Sequence, residues 1–592
     1  GGLVWVKSRT TAFDHMLADT ETGAGKYLSS NTTQRALGPN STALTSFNSN
    51  GFSIGSLNDY NYSGDDFASW TFRKAPKFFD VLTYTGDGTS NRQIPHSIDG
   101  PVGLILIKRT DSTGNWLAWH RSVDPGYGIL DLTGAFTSGS NGFLDAVADT
   151  YFETSWLNTS GGTYVAYLFA HNDGDGEFGP DGDQDIIKCG SYVGNGSTTG
   201  PEIDLGFEPQ WLLIKNADYS GAGWSLWDNM RGVTTGGTDQ RLYANESSAE
   251  ATTGGDDVYF TSTGFGVGVE YQYVNGSGNN IIYIAIRRGP LAPPESATEV
   301  FDIDLQGNST DPAFSSNFPV DLGFIFRRSG GDDWYVGDRL RGPQLLRFNT
   351  SDAESPDSTI PTFDYMDGWG DNNNLTAYTG WMWKRAPGFF DVVAYTGDGT
   401  AGRTVSHNLG VAPEMIWVKQ RPYTSTWRVY HSAIGNVKAL TLNDSSAAYN
   451  LTSAWNSTTP TATEFTLGTS NDVNENLLGH VAYLFASLDG VSKVGSYTGT
   501  GSTLNIDCGF TSGARFVLIK RTNNQSPWWL WDSERGIVAG NDPWLELNST
   551  AAENTSTDYI DPYSSGFTLT SSGNWLYGMN YPSGEYIFYA IA

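Results

Sequence analysis

Short runs of apolar or alternating residues recur along the chain about every ten residues, a spacing that suits strands joined by tight turns. Glu414-Met415-Ile416-Trp417-Val418 and Arg428-Val429-Tyr430 are typical, and clusters of Gly, Asn, Asp and Ser separate such runs. No window carries the 3.6-residue apolar period of an amphipathic helix. The pattern predicts an all-β chain of antiparallel sandwiches with roughly six to eight strands in each.

The pattern also repeats at long range. Phe79-Asp80-Val81-Leu82-Thr83-Tyr84-Thr85-Gly86-Asp87-Gly88-Thr89 returns as Phe390-Asp391-Val392-Val393-Ala394-Tyr395-Thr396-Gly397-Asp398-Gly399-Thr400. Arg92 and Arg403, His96 and His407, Lys108 and Lys419, Trp116 and Trp427 follow at the same offset. A second module type pairs Leu213-Ile214-Lys215 with Leu518-Ile519-Lys520 and Leu226-Trp227-Asp228 with Leu530-Trp531-Asp532. A third type ends in Trp70-Thr71-Phe72-Arg73-Lys74-Ala75-Pro76 and in Trp381-Met382-Trp383-Lys384-Arg385-Ala386-Pro387. The chain thus reads as two copies of a three-module block, a tandem array of sandwiches of jelly-roll or immunoglobulin size. The expected modules are 1–78, 79–171, 186–289, 297–388, 389–487 and 491–592. Gly1-Gly2-Leu3-Val4-Trp5 reads as the middle of a module, so the first is expected to be truncated. Pro290-Leu291-Ala292-Pro293-Pro294 is the linker-like stretch between the blocks.

Composition narrows the partners. With 34 basic against 64 acidic residues the formal charge is −30, which repels phosphate backbones and anionic lipid. Nucleic acid and membrane are therefore not expected partners. No stretch approaches the roughly 20 apolar residues of a membrane helix, and no signal peptide is visible. Cys189 and Cys508 each face an apolar residue in the sister module, Val494 and Leu205, which favours small buried hydrophobes over a disulfide or a metal site.

Three phrases carry a resemblance: Tyr84-Thr85-Gly86-Asp87-Gly88-Thr89 with Arg92 and His96, Trp531-Asp532 with Arg535-Gly536, and Leu547-Asn548-Ser549-Thr550-Ala551-Ala552-Glu553, which Leu28-Ser29-Ser30-Asn31-Thr32-Thr33 echoes. Together they resemble a repeat family of uncharacterised virion-associated proteins in marine tailed bacteriophages, cyanophages included. That resemblance implies a fibre, appendage or capsid-decorating protein at a virion surface, outside the cell. It brings no catalytic residues with it.

Several residue groups invite a chemical reading. Asp87, Arg92 and His96, repeated as Asp398, Arg403 and His407, suggest acid–base chemistry. A catalytic group, however, works as one tuned site, and repetition with decay is the mark of a local hydrogen-bond network. The Asp-x-x-Arg-Gly turn recurs at Asp228 and Arg231, Asp338 and Arg341, and Asp532 and Arg535, with Glu250, Glu354 and Glu553 a little downstream. It too reads as structural, a carboxylate capping a turn that an arginine braces. Six carboxylates, Asp173, Asp175, Glu177, Asp181, Asp183 and Asp185, lie on an inserted glycine-rich loop. Oxygen ligands at alternate positions suit Ca²⁺, and a solvated acidic linker is the equal alternative. Trp116, Trp227, Trp427 and Trp531 fall at matching positions and read as core, whereas Trp528, Trp529 and Trp575 are the candidates for an exposed, sugar-stacking patch.

The expectation from these readings is a non-enzymatic virion structural protein that associates with itself or with other virion proteins. A host-glycan adhesin is the alternative, and a glycan depolymerase the third reading.

Overall fold

The computed structural model describes residues 1–137, 143–255, 257–357, 362–371, 375–576 and 578–592. The chain divides into two compact units, Gly1–Val233 with Gly237–Arg288, and Gly289–Ala592 with Thr234–Gly236. It is all-β, and each unit holds three successive modules.

The main sheets follow one plan. In the third module the first strand, Ile187–Val193, pairs with the closing strand, Asn280–Arg287. The closing strand also pairs with Pro209–Asn216, which continues the sheet through Ser225–Asp228 and Gln240–Tyr243. Every pairing is antiparallel, so the closing strand lies in the interior of the sheet. The same order holds in the second, fourth, fifth and sixth modules. A smaller sheet, here Glu202–Asp204, Gly264–Val267 and Val258–Thr261, covers one face. In the first module the main sheet contains, among the described residues, Met16–Asp19, Gly2–Ser8 and Phe67–Arg73.

Both faces of each main sheet are buried, which explains the nearly continuous apolar runs. Along 209–216, Leu212 and Ile214 face the module's own small sheet, while Trp211 and Leu213 face a core shared with the first and second modules. The fourth and fifth modules alternate alike. Ile325 and Ile416 point to local cores, whereas Phe324 and Met415 point to a core common to the second unit. The modules are tandem in sequence, but in space the three of a unit condense on one core. At the centre of the second unit, Phe301, Trp383 and Phe516 meet edge to face at 4.7 to 5.6 Å, a geometry aromatic rings favour.

Single hydrogen bonds close that arrangement into a cycle. In the second unit Trp427 Nε1 donates to Arg347 O of the fourth module at 2.8 Å, and Trp528 Nε1 to Thr441 O of the fifth at 2.9 Å. Trp334 Nε1 of the fourth module donates to Glu546 O of the sixth at 3.0 Å and completes the circuit. In the first unit Trp116 bonds Ser29 O at 2.8 Å and Trp224 bonds Ile129 O at 3.1 Å. His15 takes the tryptophan position of the first module, and its Nε2 meets Tyr243 O at 2.9 Å.

A second cycle runs in the opposite sense. Asp19 accepts from the Tyr167 hydroxyl of the next module at 2.9 Å, and His120 Nε2 meets Tyr283 O at 3.1 Å. Asp228 accepts from Trp70 Nε1 of the first module at 2.9 Å. Asp338 with Tyr483, at 2.8 Å, and Asp532 with Trp381, at 3.0 Å, repeat this in the second unit.

Candidate functional site

The Asp-x-x-Arg-Gly turns stand at the joints of the second cycle. In each, the aspartate accepts from the arginine backbone N–H and from its Nε: 2.9 and 2.6 Å for Asp228 with Arg231, 2.8 and 2.6 Å for Asp532 with Arg535. Asp338 and Arg341 form the same pair at 2.5 Å, with both side chains fully buried. Glycine closes each turn at positive φ, 110° at Gly232 and 128° at Gly536, where a Cβ would be strained. The downstream glutamates complete the networks: Glu250 lies 2.8 Å from Arg231, Glu553 3.1 Å from Arg535 and Glu354 3.8 Å from Arg341. Burial pushes the Asp228 carboxyl up, but Arg231 more than offsets it and holds it below the ordinary value. The turns therefore present no free acid or base.

The repeated Asp–Arg–His group is local to its module. Asp87 pairs with Arg92 at 3.4 Å and Asp398 with Arg403 at 3.6 Å. Hydrogen bonds from Thr89 and Asn158 hold the Asp87 carboxyl at about 2. His96 and His407 stand apart from those pairs: Nε2 of each contacts a backbone carbonyl, Ala148 O and Thr461 O, while Nδ1 accepts from Ile98 N and Leu409 N. Burial lowers the pKa of both, and lowers it further, to about 3 or 4, at His15, His120, His431 and His480. These imidazoles are neutral framework groups near pH 7.

The tryptophan candidates require a correction. Trp528 and Trp529 are buried, at 1% and 2% exposure, and only Trp575, at 40%, reaches solvent. Trp528 is the cycle-closing indole of the sixth module, equivalent to Trp116 and Trp427, and Trp529 packs between Trp531 and Trp544. Trp575 meets the edge of Trp529 at 6.1 Å, so it continues the core outward as one exposed ring.

The six carboxylates of the acidic loop do not converge, and no cluster of three or more potential metal ligands occurs among the described residues. Lysines and backbone amides take several of them. Lys77 pairs with Glu177 at 2.9 Å, Lys188 with Asp173 at 3.4 Å, and Asp185 accepts from Gly174 N and Gly176 N. Asp175 Oδ1 caps Asp173 N at 2.9 Å. Neither Asp181 nor Asp183 makes a described side-chain bond to these groups. Cys189 and Cys508 are both free and buried, and burial pushes the thiols up.

One set of residues is aligned by the repeats, but its burial is not evident from the sequence. Lys7, Lys108, Lys215, Lys419 and Lys520 are buried at equivalent strand positions, and each ammonium donates to backbone carbonyls, as Lys520 does to Ser445 O and Ser526 O at 2.9 and 2.5 Å. Burial pulls their pKa down, to about 8 for the first four and about 7 for Lys520. The fourth module replaces the lysine with Phe326, which stacks on Trp334 at 4.3 Å.

A cleft of about 540 Å³ in the first unit can receive a ligand. Glu21, Thr22, Lys26 and the strap Ala36–Leu37–Gly38 of the first module form one wall. Thr83, Tyr84, Thr85, Thr110, Thr163 and Tyr164 of the second form the other. Tyr84 and Tyr164 stack at 5.0 Å on the opposite face of the sheet from Thr83, Thr85 and Thr163, with hydroxyls held by Leu157 O and Thr159 N, so they border the cleft through backbone and support it from behind. The wall offers a row of hydroxyls with one carboxylate and one ammonium opposite. That suits a polyhydroxylated ligand, but it lacks the second carboxylate that glycoside hydrolysis uses.

Fold and network together define a class: a duplicated, three-module β-sandwich protein whose modules are locked cyclically by buried aromatic and ionic groups. The chain belongs to the family described as Domain of unknown function (DUF7483), whose model matches residues 1–290 and again 301–592. The two matches fall on the two copies of the three-module block. No curated protein matches the chain.

Proposed function

We propose that this chain is a non-enzymatic structural protein of a virion surface, a fibre, appendage or capsid decoration of a marine tailed phage. One observation carries the structural part of the reading: the groups that could do chemistry are consumed in holding modules together. The aspartates of the Asp-x-x-Arg turns bond the neighbouring module, and the histidines bond backbone and stay neutral. The result is a stiff support that displays surface, suited to association with itself and with other virion proteins. The virion setting rests on the sequence resemblance. Antibody labelling of native particles in the electron microscope tests it: label on a fibre, appendage or capsid supports the reading, and particles that carry no label sink it.

The cleft favours one second reading, a host-glycan adhesin. Its row of threonine hydroxyls, with Glu21 and Lys26 on the facing wall, could bind a saccharide without cleaving it. A glycan array probed with the full chain and with Thr85→Arg, which would block the cleft from an exposed position, separates the two. Binding lost in the variant supports the adhesin, and no binding by either protein leaves the structural role alone.

A further inference from the structure

In the third module a run of stacked groups ends at the surface. The Arg241 guanidinium lies over the Tyr243 ring at 4.8 Å and over the Tyr273 ring at 4.6 Å. Asp257 and the Tyr273 hydroxyl bond Arg241 and each other, which fixes the middle of the run. Tyr271 then stacks on Tyr273, with centroids 5.4 Å apart and planes 21° from parallel. One face of the Tyr271 ring is thus covered, yet the residue is 50% exposed, so its other face is open to solvent. Asn216 ties the neighbouring loop to this one. It accepts from Tyr219 N at 3.1 Å and donates to Gln272 O, and Tyr219 is itself 41% exposed. Glu270 and Gln272 flank Tyr271, both exposed, and neither makes a side-chain hydrogen bond among the described residues.

The fold does not require an aromatic here. Counting back four residues from the buried asparagine that anchors this turn, Asn275, gives Tyr271; the same count from Asn158 and Asn474 gives Thr154 and Ser470 in the second and fifth modules. The sixth module, sister to the third, again exposes a ring on this loop, Trp575, five residues before Asn580.

We infer that Tyr271, with Tyr219, Glu270 and Gln272 around it, binds a neutral hexopyranose unit of a polysaccharide. A ring already held in place loses little freedom on binding. The formal charge of −30 disfavours an anionic ligand, and Arg241 behind the stacked tyrosines disfavours a cationic one. A neutral pyranose meets neither penalty. Its C–H face covers the open face of Tyr271, while its hydroxyls suit the free carboxylate and amide beside the ring. The inference rests on the host-glycan reading for its ligand class, but the site shares no residue with the cleft.

Native gels cast with dextran, galactomannan or arabinoxylan test it on the full chain. At least one of the three should retard the native protein, and Tyr271→Ala should weaken that retardation by about tenfold or more. Tyr271→Phe keeps the ring and should be retarded like the native chain, as should Thr85→Arg in the cleft. Equal melting temperatures for the native chain and Tyr271→Ala would show that the fold is intact. No retardation in any of the three gels would overturn the inference, and so would Tyr271→Ala retarded as strongly as the native chain. Retardation removed by Thr85→Arg alone would place the saccharide in the cleft, which upholds the adhesin reading and overturns this one.

Discussion

Replacing Asp532 by alanine strikes both the turn and the joint between modules. The carboxylate is fully buried and accepts three bonds: from Arg535 N at 2.8 Å, from Arg535 Nε at 2.6 Å, and from Trp381 Nε1 of the fourth module at 3.0 Å. Removing it leaves the Arg535 guanidinium buried, with Glu553 at 3.1 Å as its remaining ion-pair partner, and leaves an indole N–H unpaired. Breaking a buried pair from one side costs about 3–5 kcal/mol, and the orphaned donor accounts for part of that. Urea unfolding followed by tryptophan fluorescence and circular dichroism should show one transition displaced by that amount, the transition of the second unit. The more pointed form is a double-mutant cycle with Trp381→Phe, since residues 381 and 532 lie in different modules. A charge-assisted bond across the joint predicts a coupling of about 1–2 kcal/mol. Additive effects would refute the reasoning, because independent modules could not couple these two residues.

Three further outcomes follow from the buried groups. The five lysines have folded pKa values of about 7 to 8 against 10.5 when exposed, so between those limits the unfolded chain binds protons that the folded one does not. Stability should therefore rise from about pH 7.5 to about pH 9.5, then fall as tyrosines such as Tyr283, which burial pushes up to about 12, ionise in the unfolded chain first. A melting temperature that declines steadily from pH 7 would contradict this. Cys189 and Cys508 should resist maleimide in the native protein and react only on unfolding, as a gel-shift time course would record; rapid native labelling would mean that the core opens readily. The lysine pairs of the acidic loop predict equal melting temperatures and equal protease cutting with calcium and with chelator, and calcium-dependent protection at Asp173–Asp185 would instead establish the cation site.

Much of this molecule is legible in the chain because its repeats are local. The Asp-x-x-Arg-Gly turn is two bonds among near neighbours, so spacing alone reveals it at Asp228, Asp338 and Asp532. The cycles are not legible in that way, because each joint is one indole, imidazole or hydroxyl meeting a residue far along the chain, 158 positions away for Trp70 and Asp228. Substitution hides them further. His15 does the work of a tryptophan, and Asp19, His120 and Asp228 occupy one structural position with two chemistries. Trp528 and Trp529 look like surface residues in the sequence because the doublet masks the register, yet both are buried. The eight-residue step from Lys520 to Trp528, shared by Lys108 with Trp116 and Lys419 with Trp427, carries the signal that places Trp528 inside. The acidic loop shows its charge in the sequence but not its partners, since Lys77 lies about a hundred positions before Glu177 and reaches it only through the fold.

The central claim is that three modules of a unit form one cooperative structure. Native-state hydrogen exchange in rising denaturant tests it most directly on three closing strands of the second unit, Tyr378–Trp383, Gly479–Phe485 and Glu585–Ile591. The shared core and the closed cycle predict that the slowest amides of all three converge on one opening free energy with one denaturant dependence. Three separate free energies, each lost at its own denaturant concentration, would mean that the modules are independent sandwiches on a string.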